Sequence, residues 1–247
     1  MKEALDRFSK QSDSYKKFRP TYPWALYEFL FSISQSFDAA WDCGTGNGQV
    51  AVQLATEFEK VFASDISESQ LANAEKRVNI EYLKFRAEQP PFEDKSLDLI
   101  AVGQAIHWFD IPLFFKEARR VLRPNGVLAF WGYGLLRVNP QIDKHIDHFY
   151  KEVVGSYWDF ERQHVESNYE TIVFDWQEIE TPENLTIQTT WNLDQFEGFF
   201  NSWSAVQNFK EKYETNPVDE FMAQVKELWT EPVYQITFPI FMRAGTK

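Results

Sequence analysis

The chain has 247 residues, 44% hydrophobic and 17% aromatic, enough for one large domain with its own core. Its 25 Lys and Arg against 37 Asp and Glu leave a net charge of −12, which repels a phosphate backbone and argues against a nucleic-acid partner. One cysteine, Cys43, excludes an intrachain disulfide; the first residues are charged, and no run approaches the ~18 apolar residues of a membrane span, so the expectation is a soluble, cytoplasmic protein with no membrane partner.

The first strand signal, near residues 37–42, runs into Asp42-Cys43-Gly44-Thr45-Gly46-Asn47-Gly48-Gln49. Glycine lacks a Cβ and reaches positive φ, so main-chain N–H groups of such a turn can lie against a ligand. A dinucleotide fingerprint places its third glycine three positions after the second; here Gln49 holds that place and Gly48 comes one residue early. A second strand, near 60–64, ends in Asp65, 19 residues after Gly46, about the spacing at which a carboxylate accepts ribose hydroxyls. A nucleoside site without a diphosphate signature fits S-adenosylmethionine better than NAD.

Helices are expected over 49–59 and 67–79, the second opened by Ser67 and Gln70 in a pattern resembling a capping box. Further strands fall near 81–85, 97–102 and 126–132. A helical segment over 114–122 precedes the last of them and is stopped by Pro124-Asn125-Gly126. This alternation predicts a parallel sheet with helices on both faces. After Gly134 come helical stretches near 139–157, 193–213 and 217–229, with a strand over 185–191 among them. The run from Val233 to Arg243 is β-rich, and its Pro239 implies an edge or a bulge.

Several residues have both a structural and a chemical reading. Arg19, beside Tyr15 and Tyr22, is either a surface charge or a bidentate carboxylate binder, for cofactor or substrate. His107 is either a satisfied turn histidine or a substrate hydrogen bond and proton acceptor. Gln104 is a turn residue or points into the site. Trp108, Trp131, Trp158 and Trp203 read singly as core, while collectively some of them should line the substrate cavity. Glu161, His164 and Glu166, like His145 and His148, lack convincing ligand geometry and read as solvated helix faces, so no metal is expected.

Together these features resemble the class I S-adenosylmethionine-dependent methyltransferases, closely over residues 37–132. The resemblance implies an α/β fold: a seven-stranded, mostly parallel, doubly wound (Rossmann-like) sheet with an antiparallel last strand, an N-terminal helical lid and a helical cap insertion. It implies one domain over 1–247, divided into a lid (1–35), a cofactor-binding core (36–134), a cap with strand six (135–232) and the last strand (233–247).

By the same resemblance Asp42, Gly44, Thr45, Gly46 and Gly48 belong to the loop for the methionine part of S-adenosylmethionine, and Asp65 grips the ribose. Ile66, Ala87 and Glu88 lie along the adenine, although Arg86 stands where the family often has Asp. Three segments are similar to a narrower group related to trans-aconitate and other small-carboxylate methyltransferases: Tyr15 to Pro23, Gln104 to Phe109, and Ser202 to Ala205. They imply that Tyr15, Arg19 and Gln104 also contact the cofactor, and that Tyr22, His107, Trp108, Trp131 and Trp203 face a small-molecule substrate, in a monomer or homodimer.

Methyl transfer from a sulfonium needs little acid–base machinery, since the electrophile is already activated. A carboxylate acceptor requires no base; for a hydroxyl or amine, His107 would serve. The alternatives are a non-catalytic S-adenosylmethionine-binding protein and a protein or RNA methyltransferase.

Overall fold

The computed structural model describes residues 20–247. Its centre is a set of apolar runs that become parallel strands because helices cover both of their faces. These are β1 (Ala39–Cys43), β2 (Lys60–Asp65), β3 (Ile80–Lys84), β4 (Leu97–Gly103) and β5 (Leu122–Tyr133), in spatial order β3-β2-β1-β4-β5. Side chains alternate faces along β4. Ile100 and Val102 join Trp41, Phe114 and Phe115, whereas Leu99 and Ala101 join Leu26, Leu30, Ala51 and Leu54. The second face is thereby covered by α1 (Trp24–Ile33) and α2 (Gln49–Leu54). The short α3 (Glu68–Ala72) follows β2, and α4 (Ile111–Val121) covers the first face.

The chain continues through α5 (Pro140–His148), α6 (Arg162–Glu166), β6 (Gln177–Ile179), β7 (Thr186–Trp191), α7 (Leu193–Asn201), α8 (Ser204–Tyr213), α9 (Pro217–Leu228) and β8 (Tyr234–Thr246). β8 runs antiparallel to β5, β6 and β7. The mostly parallel, doubly wound sheet with an antiparallel last strand is therefore present, enlarged to eight strands by β6, three residues too short to show alternation. Pro239 lies within this internal strand, not at an edge. There β8 changes partner, from β7 before it to β5 after it, so the missing donor falls at a break in the ladders.

Two long helical stretches are interrupted. The one over 193–213 breaks at Ser202 and Trp203: Ser202 Oγ donates to the Phe199 carbonyl at 2.6 Å, and buried Trp203 is extended. The one over 139–157 passes from α5 into a π turn, Phe149–Val153, that ends the regular helix. Both breaks turn rings into an aromatic core, where Phe149 stacks on Phe221 at 4.5 Å and Phe200 meets Trp203 at 4.5 Å.

The amino ends of the central strands are tied by a buried charge. Asp98 accepts from Ala39 N at 2.9 Å and from Arg123 Nη1 at 2.7 Å, and Arg123 also reaches Asp38. That leaves the carboxyl ends for the site. Among the described residues no helix is long and apolar enough to cross a membrane.

Candidate active site

The carboxyl ends of β1, β2 and β4 open on a cleft enclosing about 840 Å³ of empty space, mouth included. It lies where the strand order reverses between β1 and β4, the crevice in which open α/β sheets bind ligands. Gly44, Gly46, Asp65, Ile66, Ala87, Glu88, Gln104 and Trp108, eight of the residues expected in the site, line it.

The glycine loop has the conformation its sequence requires. Gly44, Gly46 and Gly48 have φ of 75°, 55° and 85°, all in the left-handed region. Gly44 N and Thr45 N both donate to the Ser64 carbonyl at 2.9 Å, anchoring the loop to β2. Asp65 then joins two turns: Oδ2 accepts from Gly46 N and Oδ1 from Ser67 N, each at 2.9 Å. A carboxylate has about four acceptor sites, so Asp65 retains capacity toward the cleft.

Asp42 and Thr45 do not line the cleft. Asp42 Oδ2 accepts from Thr45 Oγ1 and from Ala51 N, bracing the loop and α2 from behind. Gly48 caps α2, where a Cβ would meet the Tyr82 ring. Burial raises the Asp42 carboxyl to about 7, against which the bonds from Thr45 and Ala51 act. A folded-state value above the free carboxyl's means that ionisation opposes folding. Its stabilising contribution is complete below about pH 4 and is lost as pH rises through 7. Asp42→Asn, which keeps an acceptor for Thr45 and Ala51, is expected to flatten the fall in melting temperature between about pH 4 and 7, measured by calorimetry. An unchanged slope would place the titration elsewhere.

Across the cleft Arg86 Nε donates to Glu88 Oε2 at 3.2 Å, and Glu88 Oε1 accepts from Asp110 N at 2.7 Å. Arg86 thus pairs with Glu88 while both line the cleft. Gln70, expected as a helix cap partner, also lines it; Ser67 Oγ accepts from the Gln70 backbone N–H and not from its side chain. The Gln70 carboxamide is buried with neither its oxygen nor its nitrogen hydrogen-bonded. An orphaned amide in a cleft is satisfied by a polar ligand. The volume, the glycine turn and this amide fit S-adenosylmethionine.

A second cavity, enclosing about 670 Å³, adjoins the first, with Gln104 and Trp108 lining both. Gln104 is held at φ 54°; its backbone N donates to the Trp131 carbonyl at 2.7 Å, and its Oε1 accepts from Tyr133 N at 2.8 Å. His107 and Trp203 line the second cavity, together with Trp158 and Arg162. Tyr22 and Trp131 line neither. Trp131, expected in the substrate wall, is wholly buried on the α1 face of the sheet with Tyr22 edge-on to it, because alternation along β5 turns it away from the cavity. Tyr15 and Arg19 lie outside the described residues.

His107 Nδ1 lies 2.9 Å from Tyr169 Oη. Burial pushes the Tyr169 phenol far above its ordinary value, so it stays protonated. The direction of this bond follows the imidazole tautomer: if the phenol donates to Nδ1, the ring proton sits on Nε2. Tyr169 and Arg162 escaped notice because each reaches the site from a cap segment remote in sequence.

A family model for a methyltransferase domain matches residues 41–130. A protein of Dictyostelium discoideum that bears a methyltransferase name is 33% identical over 251 residues, 98% of this chain and 95% of its own. A solved structure from Anaeromyxobacter dehalogenans, named as a type II methyltransferase, superposes with a TM-score of 0.85 at 38% identity, covering 93% of this chain and 98% of that one. The malonyl-acyl-carrier-protein O-methyltransferase of a Marinomonas species is 35% identical over 135 residues, 52% of this chain and 49% of its own. With kinship of this degree running the length of the chain, and a strand-end cleft built without a diphosphate fingerprint, the chain belongs to the class I S-adenosylmethionine-dependent methyltransferases.

Proposed function

We propose that this methyltransferase modifies a small molecule and that the accepting atom is a carboxylate oxygen. The observation that carries this reading is the pairing of His107 with Tyr169. Read with the buried Tyr169 phenol as donor to Nδ1, the imidazole carries its proton on Nε2 and is a donor there, not a base. An acceptor that must lose a proton is poorly served there, whereas a carboxylate is already ionised near neutral pH. The Marinomonas relative, named for O-methylation of a malonyl group, supports the same reading, as do the segments at Gln104 and Ser202.

S-adenosylmethionine supplies a methyl group already activated on a positively charged sulfur. Asp65 and the glycine loop hold it in the first cleft, with Ile66, Ala87, Glu88 and Gln70 around its nucleoside end. Gln104 and Trp108 form the wall shared with the acceptor cavity, which keeps the two reactants adjacent. His107 donates to the acceptor and Trp203 walls it. Residues 36–134 act as the cofactor-binding core and 135–232 as the cap in a cytoplasmic enzyme; α1, with Leu26 and Leu30 buried against the sheet, belongs to the core and not to the lid expected over 1–35.

The test is release of S-adenosylhomocysteine across carboxylic acids, phenols and amines. Methyl esters are expected, with kcat/KM nearly constant between about pH 6 and 9, where the acid is ionised throughout. Turnover confined to phenols or amines, or a rate rising through a pKa near 7, would overturn the assignment.

A further inference from the structure

We propose that Arg162 is the anion anchor of the second cavity, and that the acceptor is an organic acid with a flat, apolar body whose carboxylate docks on this guanidinium. The proposal rests on the assignment of that cavity to the acceptor. Arg77, Arg86, Arg119, Arg120, Arg123, Arg137 and Arg243, seven of the eight described arginines, lie within 3.2 Å of a carboxylate oxygen. Arg162, in a chain of net charge −12, has no such partner among the described residues, yet it lines a cavity.

Its guanidinium is nonetheless fixed. Nε donates to Tyr150 Oη at 3.0 Å, and that hydroxyl donates onward to Glu166 Oε1 at 2.8 Å. The guanidinium lies over the Trp158 ring at 4.6 Å and over the Tyr150 ring at 5.5 Å. Nε is thus engaged by a neutral phenol, the plane is held by rings, and the two terminal amino groups make no ion pair among the described residues. A planar fork held this way is preorganised for bidentate binding of a carboxylate, which a lysine ammonium cannot reproduce.

The rest of the wall selects the body of the ligand. Trp158 and Trp203 lie 5.3 Å apart, with Phe199 and Leu135 completing an apolar slot. Asp159, three residues before Arg162, lines the same cavity, and its carbonyl accepts from Arg162 N at 2.9 Å. The acidic surface gives no long-range attraction for an acid, which leaves the local cation to supply recognition.

The experiment titrates the full chain, saturated with S-adenosylhomocysteine, with phenylacetate, cinnamate and hexanoate and with their neutral amides. The proteins are wild type, Arg162→Met and Arg162→Lys. At least one acid is expected to bind wild type about tenfold or more tighter than its amide, the loss expected when a charge-assisted bidentate contact is removed. Arg162→Met should abolish that preference and Arg162→Lys restore part of it, with S-adenosylhomocysteine affinity unchanged in both. Acids that bind no tighter than their amides, or a preference that survives in Arg162→Met, would overturn the anchor. Turnover separates the two readings. Arg162-dependent binding with methylation at another atom leaves the anchor standing and overturns the carboxylate acceptor. Ester formation by Arg162→Met at the wild-type KM does the reverse.

Discussion

Asp65→Ala is expected to bind S-adenosylmethionine at least ~100-fold more weakly than wild type, because hydrogen bonds to a charged group contribute ~1.5–3 kcal/mol each. The carboxylate already accepts from Gly46 N and Ser67 N, so its removal releases the glycine turn as well as a proposed ribose contact. Asp65→Asn retains one acceptor oxygen and should fall between the two. Isothermal titration decides the matter; an Asp65→Ala affinity within about threefold of wild type, where a lost charged hydrogen bond predicts more, would remove Asp65 from the site.

Gly44→Ala is the substitution expected to do most damage to the fold at the site. At φ 75° an L side chain is strained, and a Cβ there would sit 2.6 Å from the Ala105 Cβ and 3.4 Å from the Phe109 ring. Ala105 is fixed by its own backbone and cannot swing aside. Left-handed strain of ~1–2 kcal/mol and overpacking of ~1–3 kcal/mol together predict a loss of roughly 2–5 kcal/mol in urea unfolding, with cofactor binding weakened in parallel. Gly46→Ala is the internal comparison. Its φ is 55°, but the nearest atom to a new Cβ is 4.0 Å away, so only the strain of ~1–2 kcal/mol applies. If the two variants unfolded alike, the close packing of Gly44 against Ala105 would carry no weight.

What could be read from the residues was what is local or periodic. The glycines, Asp65 and the strands that precede them lie within short windows, so their spacing points to a nucleoside site on a parallel sheet, and the resemblance adds Ile66, Ala87, Glu88 and Gln104 to it. Gln70 was read as a cap because its position relative to Ser67 says nothing of where its carboxamide turns. Only the fold places that amide in the cleft. Trp131 looked like a cavity ring by composition, yet strand alternation buries it on the opposite face. Arg162 lies among Glu161, His164 and Glu166, a stretch that reads as a solvated helix face, and nothing in the sequence singles it out. Its meaning comes from Tyr150 and Trp158, which a π turn and an irregular segment bring beneath it. The break at Ser202 and Trp203 was hidden for a related reason: residues on both sides favour helix, and aromatic packing decides where it ends.

The position of β8 has a consequence for how the molecule matures. This strand is paired on both edges, to β5 on one side and β6 on the other, and it contributes Ile236 and Phe238 to the aromatic core of the cap. β1 to β4, with the glycine loop and Asp65, precede it in the chain and pair among themselves. At ~5–20 residues per second, the roughly 110 residues between the end of β5 and the end of β8 leave the β5 edge open on the ribosome for ~5–20 s. During that interval the nucleoside-binding half has all of its strands while the acceptor cavity has no closed wall. The strands that carry the cofactor cleft therefore emerge before the strand that completes the cap, and the β5 edge, unpaired in that interval, is the point most in need of protection.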